Sequence, residues 1–437
     1  MKKYRALVPL VMVVLMAASW YLLIKDSAEV DAAYNKYLTE ARSFAEDGIT
    51  KYAIENYTLA LEINSSPEIY AEVAEYYKSQ DKDSEYLFWS EDFFEKYPTN
   101  PMAYDCVLDA YLSAKDYESC YDILYTAEKR NVTSDKIKSI SEDIKYSYKL
   151  DFNTYEDVAV YSNNFCPVMS KGSWGYVDRY GNQRIACKYP QVGAYTKTNF
   201  TSVVNEDGDA YFIDKTGSKV LVSKEKYKSF GLLVNGIIAA EKVDGKYTYV
   251  DQSFNVLFGD YEYASTINNG IAAVKNGGSW QLINESGNAI NSEKYLDIKL
   301  DEKEIAYRSD RMFVSTAEGK YIMVDGKGKQ VGSLVFEDAM VFASDAPTAV
   351  KINGKWCFVG TDGKLISDKT YGDARPFANG LAAVCIDGKW GFVDSNENLV
   401  IEAIFFGAKD FNEKGSCFVK TGDKWQLLKL YRLNREE

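Results

Sequence analysis

The spacing of apolar residues changes along the chain and predicts two regions of different secondary structure. Over residues 28–150 apolar positions recur every three or four residues, which is typical of amphipathic helices. Beyond residue 155 they alternate in short runs between turn residues, which is typical of β-strands. With 437 residues the chain is long enough for several domains. We therefore predict an all-α arm over 28–150, followed by an all-β domain over 155–432.

The helices of the arm are predicted to come in pairs. Gly48 interrupts the first apolar pattern, and Pro67 begins the next helix. A shift of 34 residues carries Tyr52 onto Tyr86 and Pro67 onto Pro101, and a third unit covers 102–130. A last helix over 134–150 is expected to cap the stack and to lead into the β domain.

A 34-residue period with two helices per unit is the spacing of tetratricopeptide (TPR) repeats. The arm resembles that family at Gly48, Tyr52, Ala53, Ala60 and Pro67. The resemblance implies a concave face that binds extended peptides. A spacer that holds the next domain away from a membrane fits the same pattern, and both interpretations stay open.

The second region is an eightfold repeat of units of about 35 residues. Within the copy that starts at Tyr371, GLAAV and KWGFVD predict two strands joined through the turn Asp387-Gly388. A second turn, such as 361–363, precedes a third short strand. Two markers keep one phase over all copies, namely an opening aromatic residue at 155, 189, 227, 261, 295, 336, 371 and 406, and the position of Trp390 at 174, 210, 247, 280, 321, 356, 390 and 425.

The segments Gly172–Asp178, Gly354–Val359 and Lys389–Asp394 resemble WG repeats, a bacterial β-repeat family named for a Trp-Gly pair. The resemblance covers about 280 residues, although only Trp174-Gly175 and Trp390-Gly391 keep the full pair. It implies no shared catalytic residue. The last copy lacks a third strand, so two architectures fit: an open solenoid, or a closed propeller-like ring in which the first segment completes the last copy.

The repeated aromatic and acidic residues suggest binding sites, but structural roles explain them better. One large residue per copy at a fixed strand position is what a repeating core needs. The aligned aspartates stand where strands enter turns, and aspartate favours turns. The run NEDGD at 205–209 lacks the remaining ligands of a calcium loop and is interpreted as a turn. The aligned aspartates are Asp178, Asp214, Asp251, Asp325 and Asp394.

The N-terminal residues predict a membrane anchor. An uncharged run over 6–24 would span about 28 Å as a helix, enough to cross the hydrocarbon core of a bilayer. Lys2, Lys3 and Arg5 precede the run, so residues 1–25 are expected to hold a cytoplasmic tip and the anchor, with the bulk of the chain outside the cytoplasm. Signal-peptide cleavage fits poorly, because the small residues Ala17 and Ala18 are followed by more apolar residues.

Composition narrows the possible functions. The chain contains no histidine, which removes the commonest general base and metal ligand. Its net charge of −13 disfavours nucleic acid as a partner. Seven cysteines without CxxC spacing predict neither a disulfide framework nor a thiolate metal site. We expect no cofactor and no metal, and we nominate no catalytic residue.

These observations favour a non-enzymatic scaffold at the bacterial cell envelope, held in the plasma membrane through residues 6–24. Its expected ligands are proteins, peptides or a cell-wall polymer. The alternative is a carboxylate-dependent enzyme acting on cell-wall carbohydrate, which requires non-repeated acidic residues in one pocket. The departures from the repeat lie near 299–311, with the acidic residues Asp301, Glu302 and Glu304, and near 208–212.

Overall fold

The computed structural model describes residues 29–432 and divides the chain into two compact units between Lys145 and Tyr146. The described part of the first unit is helical. Its helices are α1 (29–46), α2 (Thr50–Ile63), α3 (Pro67–Ser79), α4 (Asp83–Lys96), α5 (Pro101–Ser113), α6 (Tyr117–Arg130) and α7 (Asp135–Asp143).

Local sequence signals set the ends of these helices. Pro67 and Pro101 occupy first-turn positions, where a missing N–H costs nothing. The side chain of Asn100 accepts a hydrogen bond from the Met102 N–H and caps α5, and Ser134 caps α7 in the same way. Asn131, at φ +55°, ends α6 in the left-handed conformation.

Consecutive helices of the arm pack through small and aromatic residues. Ala41, Ala53, Ala60 and Ala103 are fully buried, which lets the helices approach closely around Phe93. Helix pairs stacked in sequence order therefore form the arm.

Cys106 and Cys120 are free thiols that form no disulfide with each other, and burial raises the pKa of Cys106 to about 11.

A polar cluster around one carboxylate joins four helices of the arm, α3, α4, α5 and α7. The carboxylate of Asp109 on α5 receives the ammonium of Lys78 on α3 and that of Lys136 on α7, each at 2.7 Å, and the hydroxyl of Tyr86 at 2.8 Å. Burial alone would raise the pKa of Asp109, but the hydrogen bonds from Lys136, Lys78 and Tyr86 lower it to about 2. The cluster therefore favours the ionised carboxylate.

Acidification should weaken the arm through Asp109. Because the folded-state pKa lies below the ordinary value of 3.8, the stabilisation is present above about pH 4 and lost as the pH falls towards 2. We expect a loss of about 2 kcal/mol over this interval. Thermal melts followed by helical circular dichroism would measure it. An Asp109→Asn chain is the control, since it should start less stable and lose correspondingly less; equal pH dependence of both chains would contradict the assignment.

The prediction of a helix over 134–150 was wrong at its C-terminal end. Helix α7 stops at Asp143, and Tyr148–Tyr155 forms the strand β1. The side chains of Tyr146, Tyr148 and Leu150 pack against the apolar core of the last repeat. Tertiary pairing thus overrides the local helical pattern, and the second unit begins before the predicted start at 155.

The second unit is an eight-bladed β-propeller made of eight antiparallel sheets. Each sheet is a blade, numbered here in chain order, with its first strand nearest the central channel. The strands of blades 1 to 4 are β2 (Asp157–Val158), β3 (Phe165–Ser170), β4 (Ser173–Asp178) and β5 (Gln183–Tyr189); β6 (Gln191–Val192), β7 (Thr201–Val204), β8 (Ala210–Ile213) and β9 (Lys219–Leu221); β10 (Tyr227–Phe230), β11 (Ile237–Lys242), β12 (Tyr247–Asp251) and β13 (Val256–Tyr261); and β14 (Tyr263–Ala264), β15 (Ile271–Asn276) and β16 (Ser279–Asn284).

Blades 5 to 8 continue the same arrangement. Their strands are β17 (Asp297–Ile298), β18 (Met312–Ala317) and β19 (Lys320–Val324); β20 (Asp338–Ala339), β21 (Thr348–Ile352) and β22 (Lys355–Val359); β23 (Asp373–Ala374), β24 (Leu381–Ile386), β25 (Lys389–Asp394) and β26 (Leu399–Phe405); and β27 (Gly407–Ala408), β28 (Ser416–Thr421) and β29 (Lys424–Leu430). In blades 4, 5 and 6 the outermost segment pairs with its neighbour only through isolated bridges, such as Trp356 with Tyr371.

Strand β1 decides between the two predicted architectures in favour of the closed ring. It pairs with β29, placing Tyr148 opposite Leu430 and Leu150 opposite Leu428, and so supplies the outermost strand of blade 8. The N-terminal segment of the unit therefore completes the last copy. Blade 8 also packs on blade 1, where Phe418 and Leu427 share a core with Val168.

The two sequence markers are partners within one sheet. In most copies the opening aromatic residue lies opposite the marker of the blade before it: Tyr189 faces Trp174, Tyr371 faces Trp356, and Tyr155 on β1 faces Trp425. Tyr227 is an exception, because it lies on β10 and pairs with Lys242 of its own blade. In blade 7 the residue opposite Trp390 is Phe405, not the assigned Phe406, which is 57% exposed. Cross-strand packing explains why both markers keep the same phase.

The predicted anchor, residues 6–24, lies outside the described part of the chain. Among residues 29–432, every helix is too short or too polar to cross a membrane.

Candidate functional site: a charged loop across the channel

The loop between β17 and β18 is the main departure from the repeat, and its residues 299–305 are called the plug here. Asp301 shapes the plug, because its Oδ1 accepts hydrogen bonds from the N–H groups of Lys303 and Ile305 at 2.8 and 2.9 Å. Its other carboxylate oxygen pairs with Arg308 at 2.7 Å. Glu304 then adopts φ +59°, so the chain turns back on itself.

The plug belongs to blade 5 but contacts blades on several sides of the ring. The Thr266 N–H, in blade 4, donates to the Glu304 carbonyl at 2.8 Å. Glu302 forms ion pairs with blades 7 and 8 through Arg375 and Lys409. Residues 302–304 also line a cavity together with the inner strands of blades 2 and 3. A loop with these neighbours lies across the central channel.

Partly buried ion pairs fasten the plug to blades 7 and 8. The Arg375 guanidinium binds both carboxylate oxygens of Asp410, at 2.6 and 3.0 Å, and one oxygen of Glu302 at 2.9 Å. The Lys409 ammonium binds Glu302 at 3.0 and 3.1 Å. Burial would lower the pKa of Arg375, but the negative charges of Asp410 and Glu302 outweigh it and raise the pKa. Bidentate pairing of this kind fixes geometry as well as charge.

A cavity of about 140 Å³ adjoins the plug. Its walls come from Gln191–Ala194 and Ser202–Val204 of blade 2, from Ser229–Leu232 of blade 3, and from plug residues 302–304. Burial raises the pKa of the Glu304 carboxyl, against a hydrogen bond from Tyr263 that lowers it; the negative charges of Glu241 and Asp301 add to the rise. The enzymatic alternative requires a carboxyl that is withdrawn from water and lies close to other carboxylates. Glu304 meets part of this requirement.

The aligned aspartates are turn residues, as predicted. In each, Oδ1 accepts hydrogen bonds from the backbone N–H groups two and four residues later, at 2.8 to 3.0 Å. The pKa of Asp251 is lowered by its hydrogen bonds with the side chain and backbone of Asn255. Asn205 accepts from the Asp209 N–H in the same way, so the run 205–209 is also a turn. These residues are Asp178, Asp214, Asp251, Asp325 and Asp394.

The repeated aromatic position serves the cores between blades. Trp280 and Trp356 are 8% exposed, and Tyr321 is 9% exposed. Trp390 and Trp425 are half-buried and pack against the cores of blades 7–8 and 8–1. The structural interpretation of this position is confirmed at these residues.

The glycine of the Trp-Gly pair is required by the neighbouring outer strand. A Cβ at Gly391 would lie 2.6 Å from the Ile401 carbonyl oxygen and 2.7 Å from the Ala403 N, and Gly175 meets Ile185 in the same way. In copies that carry another residue in place of this glycine, the side chain of that residue can donate a hydrogen bond to the backbone of the outer strand. Thr248 donates to the Phe258 carbonyl at 3.1 Å, and Gln426 donates to the Asp151 carbonyl on β1, also at 3.1 Å.

The sequence flagged the plug only as an irregular copy with three acidic residues. It missed Arg375 and Lys409, because each stands just after an inner strand of an ordinary copy. One feature of the sequence could have identified these residues: a basic residue follows the inner strand in blades 5, 7 and 8, at Lys299, Arg375 and Lys409.

Comparison with known proteins agrees with the repeat described above. The WG containing repeat family matches four segments of the chain, 174–208, 247–280, 358–390 and 390–425. Each segment begins in the third strand of one blade and ends in the next blade, so the family repeat and the blade are offset by two strands. The chain thus contains WG β-repeats, and they form part of the eight-bladed propeller.

Several solved structures are similar to the chain at low identity. BamB from Moraxella catarrhalis is 12% identical, with a TM-score of 0.44, covering 65% of this chain and 98% of that one. Virginiamycin B lyase from Staphylococcus aureus is 12% identical, with a TM-score of 0.35 and coverages of 65% and 100%. The WD40 β-propeller domain of Doa1 is 11% identical, with a TM-score of 0.33 and coverages of 64% and 97%. A search among curated proteins gave no match.

Proposed function

We propose that this WG-repeat propeller is a non-catalytic scaffold, anchored in the plasma membrane through residues 6–24, that binds a protein partner outside the cytoplasm. The TPR-like arm would hold the propeller away from the bilayer. The closed ring and the ion-paired plug favour a propeller that acts as a rigid platform. The repeated aromatic and acidic positions favour a non-catalytic role, because they serve packing and turns.

The observation that carries the proposal is a set of exposed apolar side chains on the outermost segments of blades 5, 6 and 7, called the outer rim here. These side chains are 39 to 57% exposed. Soluble proteins rarely expose neighbouring apolar residues unless a partner covers them. The outer rim consists of Val335, Leu365, Ile366, Leu399, Ile404 and Phe406.

The outer rim runs from blade to blade. A Cβ at Gly332 of blade 5 would lie 2.8 Å from the Gly363 carbonyl oxygen of blade 6, so the two backbones touch. The Lys369 ammonium of blade 6 donates to the Glu397 carbonyl of blade 7 at 2.7 Å. An apolar surface of this kind favours a protein partner over a hydrated wall polymer, and the negative net charge disfavours nucleic acid.

Cross-linking on intact cells would test the partner and the orientation together. A membrane-impermeant amine cross-linker should capture a partner with the full-length chain. Leu365→Glu combined with Ile404→Glu should reduce capture at least tenfold, because about 1.4 kcal/mol of binding energy corresponds to a factor of ten. Val243→Glu is the matched control: Val243 is 61% exposed but lies in the turn between β11 and β12, away from the outer rim.

The outcomes separate the parts of the proposal. Capture that survives in the rim variant as well as in the control would show that the outer rim is not the binding surface. If only a membrane-permeant cross-linker captured the partner, the predicted orientation would be wrong and the proposed binding of a partner would stand. Because all three substituted side chains are exposed, each variant is expected to fold.

The second candidate function is a carboxylate-dependent enzyme acting on cell-wall carbohydrate. The observation that favours it is Glu304, which lines the cavity beside Glu302 and has a raised pKa, as a general acid requires. Release of sugar fragments from purified cell wall by the full-length chain, abolished by Glu304→Gln, would favour this candidate over the scaffold.

A further inference from the structure

Two adjacent residues of the plug carry opposite charges that the protein leaves uncompensated. Within residues 29–432, Lys303 and Glu304 form no ion pair, whereas Asp301 pairs with Arg308, and Glu302 pairs with Arg375 and Lys409. The Tyr263 hydroxyl is a neutral neighbour of the Glu304 carboxylate. Both uncompensated side chains are half-buried.

Withdrawing unpaired charges from water is unfavourable, and both groups show the effect. Burial lowers the pKa of the Lys303 ammonium, and the positive charge of Arg308 lowers it further. Burial likewise raises the pKa of Glu304. The chain therefore holds a cation and an anion at a cost that a bound ligand would offset.

The two charges face different blades of the ring. Lys303 interacts electrostatically with Asp410 of blade 8 and Cys166 of blade 1. Glu304 interacts with Tyr263 of blade 4 and Glu241 of blade 3. The cavity between the plug and blades 2 and 3 adjoins both residues, and its 140 Å³ equals the liquid volume of roughly five waters.

We propose that this cavity binds a small zwitterion, an α-amino acid, whose carboxylate pairs with Lys303 and whose ammonium pairs with Glu304. A simple anion would be repelled by Glu304 and Glu302, which line the same cavity. A simple cation would leave Lys303 unpaired. The inference does not depend on the outer rim, which belongs to the circumference of the propeller.

Calorimetric titration of the full-length chain in a mild detergent tests this site. Glycine, L-alanine and L-serine are the probes, and acetate and methylamine each offer only one of the two charges. We expect saturable binding of at least one amino acid and at least tenfold weaker binding of acetate and methylamine. Glycylglycine distinguishes the source of the zwitterion: tighter binding of the dipeptide would assign the site to a peptide, and weaker binding to a free amino acid.

Four variants connect binding to the plug. Lys303→Met and Glu304→Gln should each weaken amino-acid binding at least tenfold. Lys327→Met and Glu318→Gln are matched controls at exposed positions outside the plug, and they should bind as the unchanged chain does. Unchanged melting temperatures would show that the plug variants remain folded. Absence of binding by every probe, or equal loss in the control variants, would overturn the proposal.

Discussion

Replacing Gly391 by threonine is expected to lower the free energy of unfolding of the propeller by about 3 kcal/mol, near the upper end for overpacked positions. The new Cβ would lie 2.6 Å from the Ile401 carbonyl oxygen and 2.7 Å from the Ala403 N. Both atoms belong to the backbone of β26, so no side-chain rotation relieves the contact. The outer strand of blade 7 must therefore move away from β25.

The chain contains its own control for this substitution. Thr248 occupies the same position in blade 3, where its hydroxyl donates to the Phe258 carbonyl. Thr248→Gly should cost only about 1 kcal/mol, the usual worth of one hydrogen bond. Urea unfolding followed by tryptophan fluorescence would measure both variants. A Gly391→Thr chain as stable as the Thr248→Gly chain would show that the glycine of the Trp-Gly pair is not required by strand spacing.

The eight copies could be predicted from the sequence because their markers report local packing. In six of the eight copies the marker position and the opening aromatic residue are cross-strand partners in one blade, so both repeat with the blade. The turn aspartates were identifiable for the same reason, since they bond to backbone two and four residues away. A property that depends on contacts within one copy of about 35 residues recurs in every copy, and the sequence therefore shows it as a repeat.

Ring closure and the plug depend on contacts between distant residues, and these leave no periodic trace. Leu150 pairs with Leu428, and Lys409 binds Glu302 at a separation of 107 positions. Residues 146–150 follow a helix and were assigned to it, but their side chains pack against blades 7 and 8. Whether a side chain is exposed, unpaired or ion-paired likewise depends on the folded ring, so it could not be predicted from the sequence.

Lys149→Pro should destabilise the propeller by more than any proline placed in another outermost strand. In blades 1 to 7 the outermost segment follows its own blade along the chain, so it remains tethered when its pairing weakens. Strand β1 alone is joined to its blade without a covalent connection, because β29 lies at the other end of the unit. The Tyr431 N–H donates to the Ser147 carbonyl, so in this antiparallel register Lys149 and Lys429 form the next hydrogen-bonded pair. Proline at 149 therefore removes a backbone donor from this pairing and distorts the strand. We expect a loss of about 3 kcal/mol or more, with exposure of the core around Leu428.

Two further variants isolate the closure. Ile366→Pro removes the N–H that donates to the Phe358 carbonyl at 3.1 Å from the outermost segment of blade 6, and it should cost about 1 kcal/mol because that blade stays tethered. Lys149→Ala measures the loss of the half-buried side chain alone. Urea unfolding and limited proteolysis of the three full-length chains provide the comparison. If Lys149→Pro is no less stable than Lys149→Ala, the pairing of β1 with β29 does not hold the ring, and the closed propeller must draw its stability from contacts between blades.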